Sequence, residues 1–105
     1  MDLQGKNVLV VGLARSGMAA IKALHKLGAV ITLSESKKRS ELKELPALEE
    51  LGVTIVDQSM EVFEQPYDLC VKNPGVPFRT PQMAKLKENG VPVITEIELA
   101  YQVAK

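Results

Sequence analysis

Asn7-Val8-Leu9-Val10-Val11-Gly12-Leu13-Ala14-Arg15-Ser16-Gly17 is the stretch whose reading decides the fold. Val8 to Val11 is an unbroken apolar run with no polar alternation. A strand of that kind is buried on both faces, the habit of a parallel sheet. Gly12 stops the run. Beyond it, from Ser16 to Leu27, the apolar residues Met18, Ile21, Leu24 and Leu27 recur at helical spacing. Gly28 then stands where a helix ends on a glycine. The unit is a strand, a glycine turn and a helix.

The same cycle recurs along the chain. Val30 to Leu33 reads as a second strand, and a polar, basic stretch follows it. Pro46 to Leu51 reads as a second helix, with Pro46 in the first turn and Gly52 as the stop. Thr54 to Asp57 is a third strand, Glu61 to Glu64 a single helical turn and Leu69 to Lys72 a fourth strand. Asn73-Pro74-Gly75-Val76-Pro77 breaks both periodicities. Thr80 is placed as an N-cap before Pro81, and Gly90 closes that helix. Val93 to Thr95 is a fifth strand and Glu96 to Val103 a last amphipathic helix. Alternation of this kind predicts an α/β fold, a Rossmann-like five-stranded parallel sheet with helices on both faces. The expected order is 3-2-1-4-5. A flavodoxin-like order stays open, because local pattern separates the two poorly.

Composition narrows the class. At 105 residues the chain can bury about two-thirds of its extended surface, enough for a single domain over residues 1–105. Thirteen cationic residues balance thirteen acidic ones, so no net field draws nucleic acid or an anionic membrane. One cysteine excludes a disulfide framework, and one histidine excludes a multi-histidine metal centre. No apolar run approaches the roughly 20 residues of a membrane span. Met1 to Lys6 lacks the basic-then-apolar order of a signal peptide. The expectation is a cytoplasmic domain.

In a sheet of order 3-2-1-4-5, ligands bind past the carboxyl ends of the strands, between strands one and four. Three loops converge there. Gly12 to Gly17 is close to the dinucleotide fingerprint G-x-G-x-x-G, with Ala14 at the middle glycine. Gly12 permits the turn, Gly17 permits close helix packing, and the free N–H groups of the helix start suit a phosphate. Arg15 adds charge and Ser16 a hydroxyl. Glu35, 18 residues after Gly17, falls near the acidic position that binds a ribose hydroxyl. A carboxylate there equally accepts the imide N–H of uracil, so Glu35 does not choose between adenine and uracil ligands. Asn73, Pro74 and Gly75 form the third loop, a rigid turn with a polar amide. Arg15, Lys37, Lys38, Arg39, Lys72 and Arg79, six of the thirteen cations, crown the same edge. Cys70 reads as a small core residue within the fourth strand, and His25 as an edge or surface residue.

These motifs, taken together and in order, resemble the N-terminal domain of bacterial Mur ligases. Gly5 to Gly17, Glu35-Ser36-Lys37, Val71 to Pro77 and Ile94 to Leu99 carry the resemblance, which spans nearly the whole chain. It implies a domain that holds the uridine diphosphate part of a substrate such as UDP-N-acetylmuramoyl-L-alanine. On that resemblance Arg15 and Ser16 match positions at the nucleotide and its diphosphate. Glu35, Ser36 and Lys37 match an Asp-Thr-Arg-like segment at uracil and ribose. Asn73, Pro74 and Gly75 match a Ser-Pro-Gly-like segment near diphosphate and sugar. It further implies a longer, three-domain, ATP-dependent amide ligase of peptidoglycan precursor synthesis. On that resemblance the next, central domain carries the ATP-binding P-loop and a third, C-terminal domain is Rossmann-like; ATP and Mg belong to the full-length enzyme, with no catalytic residue, metal or cofactor in residues 1–105. No G-x-x-x-x-G-K-[ST] occurs in the chain. A stand-alone NAD(H)-binding regulatory module is the competing expectation. A small dehydrogenase is disfavoured, since no Ser-Tyr-Lys set or catalytic histidine arrangement is present.

Overall fold

Four consecutive residues of β1 (Asn7–Val11) are buried, because the strand has neighbours on both edges and helices on both faces. The structure, a computed structural model, describes residues 3–12, 17–35, 43–57, 59–73 and 80–104. Around β1 lie β2 (Val30–Ser34), β3 (Thr54–Val56), β4 (Leu69–Lys72) and β5 (Val93–Thr95). They form one sheet of order β3-β2-β1-β4-β5, every pair parallel. The Rossmann-like order is therefore the one adopted, and the flavodoxin-like alternative falls.

The helices are α1 (Gly17–Lys26), α2 (Leu45–Glu50), α3 (Met60–Phe63), α4 (Pro81–Glu88) and α5 (Glu96–Ala104). Strand alternation divides the core in two. Val8 and Val10 of β1 face one cluster with Ile21 and Leu24 of α1, Leu48 of α2 and Leu99 of α5. Leu9 and Val11 face the other, with Phe63 of α3 and Met83 and Leu86 of α4. Complete burial of each such side chain contributes roughly 1.5–3 kcal/mol.

Three crossover helices stop in the same way. The amides of Ala29, Val53 and Val91 reach back to the carbonyls of Leu24, Leu48 and Leu86, at 3.1, 3.0 and 3.0 Å. Each bond spans a glycine in the left-handed region, and each leucine is fully buried. This is the Schellman arrangement, in which a glycine turns the chain and the residue after it satisfies an orphan carbonyl. At Gly28 the constraint is doubled, since φ is +78° and an added Cβ would meet Gln4 Cγ at 3.2 Å.

Helix starts are set by side chains. Thr80 Oγ1 accepts from the Met83 amide at 3.2 Å, with Pro81 next in line. Thr95 and Glu98 form a reciprocal capping box ahead of α5: the Glu98 amide donates to Thr95 Oγ1 at 3.2 Å, and the Thr95 amide to Glu98 Oε1 at 3.4 Å.

Boundaries shift by a residue in places. The second helix starts at Leu45 and ends at Glu50, with no side-chain cap at Glu44. β2 runs on to Ser34, since Ser34 still pairs with both neighbouring strands. β3 stops at Val56 because Asp57 bends away, its Oδ1 accepting the Ser59 amide at 3.0 Å.

Candidate functional site

All five strands end flush. Val56, Ser34, Val11, Lys72 and Thr95 are successive register partners across the sheet, and each is the last residue of its strand. The carboxyl edge is thus a level row, and whatever follows these residues rises from it together. Strand order reverses at β1, so the crevice expected of an open α/β sheet lies there.

Three described residues surround that point. Gly12 leaves β1 with φ +83°, a left-handed conformation that a side chain would strain. Its amide donates to the Ser34 carbonyl at 2.9 Å. Glu35 leaves β2 with its amide donating to the Val56 carbonyl at 3.0 Å. Asn73 leaves β4 with its amide donating to the Val11 carbonyl at 3.1 Å, and it is half-buried. Each chain exit is therefore tied to the next strand by a backbone hydrogen bond one residue past the ladder. Gly12, Glu35 and Asn73 are brought to one place, around the end of β1. Gly17, the first residue of α1, sends that helix away from the same edge. Ala14, Arg15, Ser16, Ser36, Lys37, Pro74 and Gly75 lie outside the described residues, as do Lys38, Arg39 and Arg79.

Burial sets the character of two of these residues. Glu35 is only 8% exposed. The backbone bonds on either side draw it down onto the sheet edge. Lys72, one of the six cations expected at this edge, ends β4 there and is 3% exposed. Its Nζ donates to the Asn73 carbonyl at 3.3 Å. Its backbone lies between β1 and β5, paired with Val11 and Thr95.

Sequence reasoning missed Ser34. It is fully buried, and its hydroxyl donates to the Asp57 carbonyl at 2.8 Å, holding the exit of β3 against β2. The available signal was a serine directly after Leu33, next to Glu35. Glu96, at the start of α5, is another buried acid at this edge. Cys70 sits in the core as expected. Burial pushes its thiol up to about 12, partly countered by the charge of Lys72, so no nucleophile exists there. His25 is exposed near the end of α1. Among the described residues, no cluster of three His, Cys, Asp or Glu side chains offers metal ligands. No helix among them is long and apolar enough to cross a membrane.

Solved structures share the fold. Shikimate dehydrogenase from Aquifex aeolicus superposes with a TM-score of 0.63 at 19% identity, over 97% of this chain and 46% of that one. L-tryptophan dehydrogenase from Nostoc punctiforme gives 0.67 at 16% identity, over 90% and 26%. At such identities the likeness is one of architecture. Sequence relatives carry more. UDP-N-acetylmuramoylalanine–D-glutamate ligase of Geobacillus sp. (strain WCH70) is 47% identical over 97% of this chain and 23% of its own length. The enzyme of the same name from Enterococcus hirae is 47% identical over 95% and 22%. The chain thus spans less than a quarter of the relatives it matches. The family model described as Mur ligase MurD-like, N-terminal domain, matches residues 6–95. By that match and by those identities, the chain belongs to the MurD-like N-terminal domain family of the Mur ligases.

Proposed function

We propose that this chain is the UDP-binding domain of UDP-N-acetylmuramoyl-L-alanine:D-glutamate ligase. One observation carries the reading: Gly12, Glu35 and Asn73 meet around the end of β1 in a chain of this family. In this reading Gly12, Ala14, Arg15, Ser16 and Gly17 receive the diphosphate, through backbone N–H groups, a guanidinium and a hydroxyl. Glu35, Ser36 and Lys37 hold uracil and ribose. Asn73, Pro74 and Gly75 close the site near the diphosphate and the sugar.

The complete protein uses ATP to activate the substrate carboxylate as an acyl phosphate, which the amine of D-glutamate attacks. ATP and Mg²⁺ are held by the rest of that protein, because phosphoryl transfer needs a phosphate cradle, a lysine and a held metal. Residues 1–105 supply the substrate anchor alone, in the cytoplasm, with no nucleic-acid or membrane partner. Clean protein of this length should release no phosphate from ATP.

Titration followed by NMR tests the reading. UDP and the UDP-muramoyl substrate should shift the amides of residues 12–17, 34–37, 73 and 75 together. NADH acting on these amides at lower concentration would replace it with an NAD(H)-binding regulatory module.

A further inference from the structure

Lysine is among the residue types least often buried, because an ammonium loses its hydration inside a protein. Lys72 is nevertheless 3% exposed. It closes Leu69-Cys70-Val71-Lys72, a strand whose other residues are core. An apolar residue at the same place would fill the space without that cost. The ammonium donates to the carbonyl of Asn73, the next residue along. Asn73 is thereby held at both ends of its backbone, its amide by Val11 and its carbonyl by Lys72.

The position matters as much as the bond. Lys72 is the register partner of Val11, the residue before the Gly12 turn, and on its other side of Thr95. Its strand end lies beside the end of β1. A charge in that setting is poorly screened by salt and acts further than one on a surface loop. Other ionisable groups bear on it. Cys70, two residues back along β4, feels the ammonium and is held neutral by burial. Glu96, also buried, follows Thr95 on the adjacent strand end.

We propose that Lys72 is a positioning residue of the nucleotide site: its buried ammonium braces the Asn73 carbonyl and keeps one positive charge beside the end of β1, favouring a diphosphate there. The inference rests on the uridine-nucleotide reading above. It gives Lys72 a duty that a neutral side chain of the same length cannot perform.

The test compares Lys72→Met and Lys72→Arg with the parent chain, using UDP and uridine as probes. Calorimetry or NMR gives affinity, and thermal melts check folding. Lys72→Met should weaken UDP about tenfold, because the Asn73 carbonyl loses its brace and the diphosphate loses a nearby buried charge. It should leave uridine within about twofold, and Lys72→Arg should recover most of the loss. The Asn73 carbonyl ¹³C resonance should move in Lys72→Met without any ligand. Unchanged UDP affinity in Lys72→Met overturns the proposal while the uridine-nucleotide reading stands. Equal losses for UDP and uridine also overturn it, since they mark a merely structural role. Failure of the parent chain to bind UDP removes the nucleotide reading, and the proposal with it. Should Lys72→Met not fold, Lys72→Gln serves the same comparison.

Discussion

The Gly12 amide donates to the Ser34 carbonyl at 2.9 Å, just past the last register pair of β1 and β2. The Ser34 hydroxyl in turn donates to the Asp57 carbonyl at 2.8 Å, and the Glu35 amide to the Val56 carbonyl at 3.0 Å. The peptide between Ser34 and Glu35 is therefore gripped from β1 on one side and β3 on the other. A carboxylate launched from such a peptide has a fixed origin, which favours binding because little freedom remains to be lost.

Glu35→Ala should weaken UDP binding by roughly tenfold to a hundredfold, the worth of a charge-assisted hydrogen bond. Glu35→Gln should cost less, since its amide oxygen still accepts. The burial of Glu35 adds a second effect. Groups it satisfies at the sheet edge lose their partner, so Glu35→Ala should also lower stability by about 1–3 kcal/mol. Calorimetry with UDP and urea unfolding measure the two effects separately. Unchanged UDP affinity would move the uracil site elsewhere.

Gly12→Ala places a Cβ on a residue with φ +83°. The expected loss is about 1–2 kcal/mol, the cost of a left-handed conformation for an L-residue with a side chain. Urea unfolding of the variant and the parent gives this directly. An unaltered midpoint and slope would mean that the turn relaxes freely.

Asp57 is exposed, and the Ser59 amide and hydroxyl beside it hold its carboxyl below the ordinary 3.8. A folded value depressed below the unfolded one stabilises the protein at pH above the unfolded value. That contribution is lost as pH falls from about 4 through the folded value. Asp57→Asn should therefore flatten part of the acid limb of a melting-temperature profile between pH 2 and 6. Identical acid limbs in the two proteins would rule out this contribution.

Cys70 should resist iodoacetamide in the folded chain at pH 8 and react at once in urea. It is fully buried, with a thiol raised to about 12 from an ordinary 9.0. The linked stability is whole below pH 9 and declines as pH rises from there towards 12, because the unfolded chain loses the proton first. Mass spectrometry reads the modification. Fast labelling of the folded chain would contradict the burial.

The local devices were legible in the sequence because each is contained within a few residues. Leu24, Leu48 and Leu86 each precede a glycine by four positions, and each reads as a helix end without any knowledge of the sheet. Thr80 before Pro81 declares a helix start, and the apolar run of Val8 to Val11 declares a buried strand. The meeting of Gly12, Glu35 and Asn73 at one sheet edge was legible for the same reason, since each follows a recognisable strand.

By itself, then, the sequence determined the alternation of strands and helices and the placement of their stops. Backbone conformation, capping and hydrophobic period are set by neighbours along the chain. Only the tertiary structure decided which strands lie side by side, and with that the characters of Ser34, Glu35 and Lys72. The residues beside them come from far along the chain: Val56 and Asp57 for the first two, Val11 and Thr95 for the third. A polar residue at the end of a strand reads the same whether it meets water or a neighbouring chain. Desolvation depends on who stands beside it, and that is a property of strand order.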